Sequence, residues 1–340
     1  MSTHYTVRIG AYTASDSAQD GDRLLLQLRV EQTMDGSGGR CNAELAGAQF
    51  DAVAVGDPVE VALDGGDGAV TVFSGQVCST GFTATTQRVE AQTALAGLAR
   101  AELERAYESV SLDFIVKDLL QQGGATAGTV CKGPEVPSYA VHRQPRLLGQ
   151  VWRLAAACGA DVYTAGDGKV QVATPDQSGA EHRLRFGQDI RELDLQAVVL
   201  PFDSIELWGE GAASAKGSDK AHWLSTDLSG VCGKAAVDDA GVVSTGRLGQ
   251  RPLRLRDGAL RAGGATEDSA RARLAWLAAR RVGGRIEVNG APAVQPGDTV
   301  RIDKLPSGHG LAGLLASALR VRGVRHWLDR ESGLVTRLMF

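Results

Sequence analysis

The chain is poor in aromatic residues, at 5%, and has no long apolar run. No stretch approaches the roughly 18 consecutive apolar residues that a membrane-crossing helix needs. The start, Met1-Ser2-Thr3-His4-Tyr5-Thr6-Val7, lacks a basic segment followed by an apolar one, so no ordinary secretory leader is expected. A soluble protein made without an export signal of its own is expected. The five cysteines, Cys41, Cys78, Cys131, Cys158 and Cys232, lie far apart and form no Cys-x-x-Cys pair. That argues against a zinc site and a disulfide framework, and for reduced, buried thiols in a protein assembled in a cytoplasm. A net charge of −4 gives no support to a nucleic-acid partner held through phosphate contacts.

Catalytic signatures are missing too. There is no Gly-x-Ser-x-Gly, no His-Glu-x-x-His and no phosphate-binding loop. Gly209-Glu210-Gly211 follows a strand, but no helix with the remaining glycine comes after it. The six histidines, among them His182 and His326, are scattered and are expected at the surface or in packing. Asp64-Gly65-Gly66-Asp67-Gly68 lacks the downstream Glu of a calcium loop and is expected to be a hairpin turn. No cofactor, no metal and no catalytic residue is expected, so the chain is not expected to be an enzyme.

What the chain has is turns and a repeat. Its 43 glycines are spread through 340 residues, enough for two or three domains rich in β-turns. Gly56-Asp57-Pro58-Val59-Glu60-Val61 and Gly297-Asp298-Thr299-Val300-Arg301-Ile302 are alike, with Val53 and Val294 at the same distance before each. Each is followed by a strand containing a glycine, Val72-Phe73-Ser74-Gly75-Gln76-Val77 and Leu319-Arg320-Val321-Arg322-Gly323-Val324, and then by one more alternating strand. This reads as a duplicated small β-barrel. Three copies of such a chain would present six similar modules in a ring.

Three segments follow from the periodicity. Residues 1–90 alternate as strands, from Leu24–Val30 through Thr83–Ala91. Residues 91–175 form a small α+β domain. In it a helix opens at Ser111 and stops at Gly123-Gly124, and a second runs from about Arg146 to Cys158, with Leu147, Leu148, Val151, Trp152, Leu154 and Ala155 as its apolar face. A hairpin over Asp161–Val172 closes it. Residues 176–340 are again mainly β, with one long helix at about 265–281 capped near Thr266, and with Asn289-Gly290 as a hairpin turn. The fold class is therefore mainly β with an α+β insertion, two similar β-barrel domains flanking a small α+β domain.

Several runs together resemble the phage late control protein D family, the baseplate hubs of contractile tails, related to the N-terminal part of VgrG proteins. They are Trp208-Gly209-Glu210-Gly211-Ala212, Gly217-Ser218-Asp219-Lys220-Ala221-His222-Trp223-Leu224, Phe73–Val77, the helix after Ser111, Tyr139-Ala140-Val141-His142, Gly168-Lys169-Val170, Pro296–Val300, His326-Trp327-Leu328-Asp329 and Gly333–Thr336. The resemblance covers nearly the whole chain and rests on order and spacing, not on one motif. It implies two tube-like barrels per chain and a homotrimer of pseudo-six-fold symmetry. Its partners would be a tail tube protein, a spike protein and other baseplate proteins, within a virion or injection particle assembled in a bacterial cytoplasm. VgrG proteins continue into a needle, whereas this sequence ends at Phe340, so a separate spike is expected. Chain-to-chain contacts are expected on edge strands, with Val72, Phe73, Gln76, Val77, Arg320, Val321, Arg322, Val324, Trp208 and Trp223 as candidate interface residues. Two alternatives are a tail-tip cell-wall hydrolase using Glu210 and Asp219 as acids, and a monomeric sugar-binding protein stacking on Trp208 and Trp223.

Overall fold

A computed structural model describes residues 4–16, 24–46, 53–177, 179–210, 229–239 and 241–340. The first unit holds β1 (His4–Ile9), β2 (Tyr12–Ser15), β3 (Leu25–Thr33), β4 (Arg40–Ala46), β5 (Pro58–Asp64), β6 (Ala69–Phe82) and β7 (Thr86–Gln92). A middle α+β unit follows: α1 (Ala94–Leu98), β8 (Arg105–Ser111), α2 (Leu112–Gln122), β9 (Ala127–Val130), β10 (Glu135–Val141), α3 (Leu147–Ala157), β11 (Asp161–Thr164) and β12 (Val170–Ala173). The second β unit begins with β13 (Glu181–Arg185) and β14 (Ile190–Ala197). An inserted layer of β15 (Ser204–Trp208), β16 (Cys232–Val237), β17 (Val243–Thr245), β18 (Pro252–Arg256) and α4 (Gly263–Ala278) interrupts it. It resumes with β19 (Val282–Asn289), β20 (Thr299–Asp303), β21 (Leu319–Arg320), β22 (Gly323–Asp329) and β23 (Gly333–Met339). The chain is thus mainly β with α+β parts, as its periodicity implies.

The two β units share one eleven-stranded sheet, ordered β14-β19-β23-β22-β3-β4-β7-β6-β5-β1-β2. The seam is the antiparallel pair β22·β3, running from Gly323 opposite Thr33 to Asp329 opposite Gln27. Apolar residues of alternating strands fill a core under each unit. Val30, Leu45, Val61, Phe73 and Val89 lie under the first, joined by Leu328 and Leu334 from across the seam. Ile286, Val288, Val300, Val321 and Leu338 lie under the second. The middle unit has its own core, where Ile115, Val116, Leu119 and Leu120 of α2 meet Val151 and Leu154 of α3. Residues 198–281 also carry a separate core, with Leu207 and Ala235 against Leu274 of α4.

Four sequence expectations are corrected. Val72–Val77 is not an edge, because β6 lies between β5 and β7, and β22 lies between β23 and β3. Of the described strands in these two runs, only β21 ends a sheet, the three-stranded β13-β20-β21. Asn289-Gly290 is not a hairpin turn. β19 pairs with β14 and β23, while the next strand, β20, joins another sheet. Helix α4 starts earlier than expected, with Ala262 at its N-cap position, and the Thr266 hydroxyl donates back to the Gly263 carbonyl at 2.8 Å. Trp152 stands 40% exposed, off the buried face of α3, because it sits about 100° around the helix from Val151.

Candidate assembly surface

The repeated Gly-Asp turn is duplicated bond for bond. Gly56 and Gly297 have φ of 98° and 97°, a left-handed conformation that glycine adopts without steric cost. Asp57 accepts from the Ala54 amide at 2.8 Å, and Asp298 accepts from the Gln295 amide at 2.9 Å. The Gly56 amide donates to Val77, and the Val77 amide donates back to Asp57. Gly297, Val321 and Asp298 repeat both bonds. Val77 and Val321 therefore occupy one structural position.

From that anchor the equivalence extends through four strands, β3-β4-β7-β6 matching β14-β19-β23-β22. The pairing of β3 with β4 shifts register between Leu25 and Gln27, and the pairing of β14 with β19 shifts between Ile190 and Glu192. An extra residue at the same place resets the alternation in both strands. One cross-strand ion pair also recurs, Arg88 with Glu44 at 3.7 Å and Arg337 with Glu287 at 2.9 Å. The units differ in their third strand, for β1 runs antiparallel to β5 while β13 runs parallel to β20. The inserted layer occupies the β14–β19 connection, where the first unit has only the short β3–β4 turn.

The glycine pair yields a graded prediction. A Cβ at Gly56 would meet open space, whereas one at Gly297 would run into the Tyr163 hydroxyl. Both Ala substitutions force a left-handed residue, worth about 1–2 kcal/mol. Gly297→Ala adds a steric clash, so urea midpoints should fall further for Gly297→Ala than for Gly56→Ala.

Beside the second turn, four parts of the chain meet at Asp161. Its carboxylate receives Arg320 at 2.7 Å, Trp276 at 2.8 Å, Arg280 at 3.0 Å and Arg322 at 3.3 Å. Arg322 also reaches Asp35 at 2.8 Å, across the seam, and Arg280 stacks over Trp276 at 3.6 Å from the ring centre. The Asp161 side chain is 2% exposed. Burial opposes its ionisation, but the charges of Arg322 and Arg320, the Trp276 bond and the Arg280 charge prevail and hold its pKa low. Its stabilising effect is therefore present above the ordinary carboxylate pKa of about 4 and is lost as pH falls below that value.

The sequence-selected residues divide between core and surface. Val72, Phe73, Val77, Val321 and Val324 are buried in the two cores. Gln76 is exposed, and Arg320 and Arg322 turn inward to Asp161. Trp208 is half-buried at the end of β15, and Glu210 is held by Arg256 at 2.6 Å. Asp219 and Trp223 lie outside the described residues. Sequence reasoning missed Asp161, whose partners are remote in the chain; His326, expected at the surface or in packing, is buried on the seam strand with Nδ1 2.9 Å from the Thr336 hydroxyl. Among the described residues no cluster of His, Cys, Asp and Glu is arranged to hold a metal. No helix among them is long and apolar enough to cross a membrane.

No protein-family model matches the chain, and no curated protein matches its sequence. Its fold is that of solved tail proteins. It resembles the 43 kDa tail protein of prophage MuSo2 from Shewanella oneidensis, at 13% identity over 99% of this chain and 97% of that one, with a TM-score of 0.66. It resembles a tail protein from Neisseria meningitidis MC58 equally well, at 14% identity over 100% and 96%, with a TM-score of 0.66. A third match is an E. coli component of the type VI secretion system, described as similar to T4 bacteriophage tail proteins. That match has 10% identity over 98% of this chain and 75% of the other, with a TM-score of 0.56.

Proposed function

We propose that this chain is a structural baseplate hub of a contractile tail or injection particle, a homotrimer that joins a six-fold tail tube to a trimeric spike. The observation that carries the reading is the duplicated four-stranded unit, with its repeated turn, bulge and ion pair. A six-fold tube offers six equal neighbours. Three chains with two like units each present six similar surfaces to it, while the middle unit and the inserted layer occur only three times and suit a three-fold spike. The shared fold with solved tail proteins supports a role in a tail.

The mechanism is mechanical. The hub stays bound to tube and spike while a sheath contracts, so its interfaces belong to the large obligate class, above about 2,000 Å². The trimer would assemble in the bacterial cytoplasm and leave in the particle. Light scattering on the purified chain tests the stoichiometry. A mass near three times 35.6 kDa, independent of dilution, is expected, and a monomer at every concentration would oppose the reading.

A further inference from the structure

The duplication points to the edges through which one copy joins the next. Within the chain, the first unit offers its β3 edge and the second its β22 edge, and these pair. The remaining outer edges of the two four-stranded units are the second half of β6 and β14. Among the described strands β14 pairs only with β19 and so ends the sheet. The β5 pairing covers β6 only up to Gln76, leaving Cys78–Gly81 paired to β7 alone among the described strands. By the equivalence above, β6 stands where β22 stands, and β14 stands where β3 stands. We infer that Cys78–Phe82 of one copy pairs antiparallel with Leu195–Val199 of the next, repeating the β22·β3 seam between chains. This inference rests on the trimer reading.

The register follows from the seam. Arg322 corresponds to Cys78 and Met34 to Val199. The Met34 amide donates to the Arg322 carbonyl at 2.9 Å, so the Val199 amide of the next copy donates to Cys78. Gly323 opposite Thr33 becomes Ser79 opposite Val198. Burial supports the match. Val199 is 81% exposed, while its counterpart Met34 is 6% exposed, and Phe82 is 52% exposed, while its counterpart His326 is 4% exposed. Two apolar surface residues thus occupy positions that the internal seam buries, as expected of an interface seen without its partner. A cleft of about 670 Å³ lies beside this edge, lined by Val55, Gly56, Gln76, Val77 and Cys78. Its counterpart beside Gly297 is smaller, a cleft of about 230 Å³, with Tyr163 packed against Gly297 and with Asp161 and Met34 bonded to Arg322. The occupant is a second copy, because this chain itself carries the complementary edge, β14, standing where β3 stands in the internal seam. The contact is heterologous, and in a trimer three such contacts complete a ring.

Ser79 opposite Val198 is a non-hydrogen-bonded pair, the closer kind in an antiparallel ladder and the one that suits a disulfide. The test places Ser79→Cys and Val198→Cys in one Cys78→Ser chain and oxidises it mildly with oxidised glutathione. Both replaced residues are exposed, which protects the fold. A covalent trimer on a non-reducing gel is expected, with a several-fold lower yield when Gln196→Cys replaces Val198→Cys as a two-residue slip. In parallel, Val199→Asp should convert the trimer to monomer with an unchanged circular dichroism spectrum. A trimer by mass that gives no register-specific crosslink, or that survives Val199→Asp, would overturn this edge assignment and leave the hub reading standing. A parent chain that is monomeric at all concentrations would overturn both.

Discussion

Asp161→Ala is expected to lower the unfolding free energy by about 3–5 kcal/mol, the range for removing one member of a buried ionic cluster. The reason is charge balance. Arg280, Arg320 and Arg322 converge on Asp161, and among the described residues only Asp35, which is 68% exposed, offers them a second carboxylate. Without Asp161, the largely buried guanidiniums of Arg320 and Arg322 face the half-buried Arg280 without a shared counter-charge, and the Trp276 N–H loses its acceptor. The cluster ties β11, α4 and the β21–β22 segment together, and through Arg322 it reaches the first unit. The loss should therefore be global, not local. Asp161→Asn should cost nearly as much, since it keeps the shape and discards the charge. Urea unfolding followed by tryptophan fluorescence reads both variants. A change below about 1 kcal/mol in either would contradict a structural role for the cluster.

The second large effect is a dependence on pH set by His326. Burial pushes its pKa down from 6.5 to about 4, with no carboxylate contributing to the shift. On the seam strand it faces Val30 of β3 and Thr336 of β23. A folded-state pKa below the unfolded one means that the unfolded chain takes up the proton first. The stability held by neutral His326 is complete above about pH 6.5 and drains away as pH falls to about 4. The shift corresponds to about 3 kcal/mol in all. His326→Asn keeps a polar partner for Thr336 and cannot titrate. Denaturation midpoints at about pH 7.5 and about pH 4.5 should then differ less in His326→Asn than in the parent chain. Parallel pH curves for the two would remove His326 as the cause.

The repeat was legible because its information is local. A glycine with positive φ and an aspartate that bonds a nearby amide leave the same short signature at residues 56–57 and 297–298. The helices α2 and α3 were legible for the same reason, through apolar spacing and the glycines after them. Partnership between strands was not. Whether Val72–Val77 is an edge depends on β5 and β7, and no property of the run itself reveals them. The separate core in residues 198–281 was also hidden, since nothing in the short strands β15 to β18 themselves tells which sheet they join. Asp161 reads as one carboxylate opening a hairpin until the fold brings it residues from 276 to 322. The shared bulge needed the pairing registers, because Leu25-Leu26 and Ile190-Arg191 look unlike in sequence.

Two like units per chain should become six in an assembled ring. End-on class averages of the purified oligomer by electron cryomicroscopy would show that arrangement. The expected image is a closed ring of three copies with six similar inner lobes and an outer rim of three-fold symmetry. A two-fold particle, or a trimer whose β units do not alternate around one ring, would contradict it.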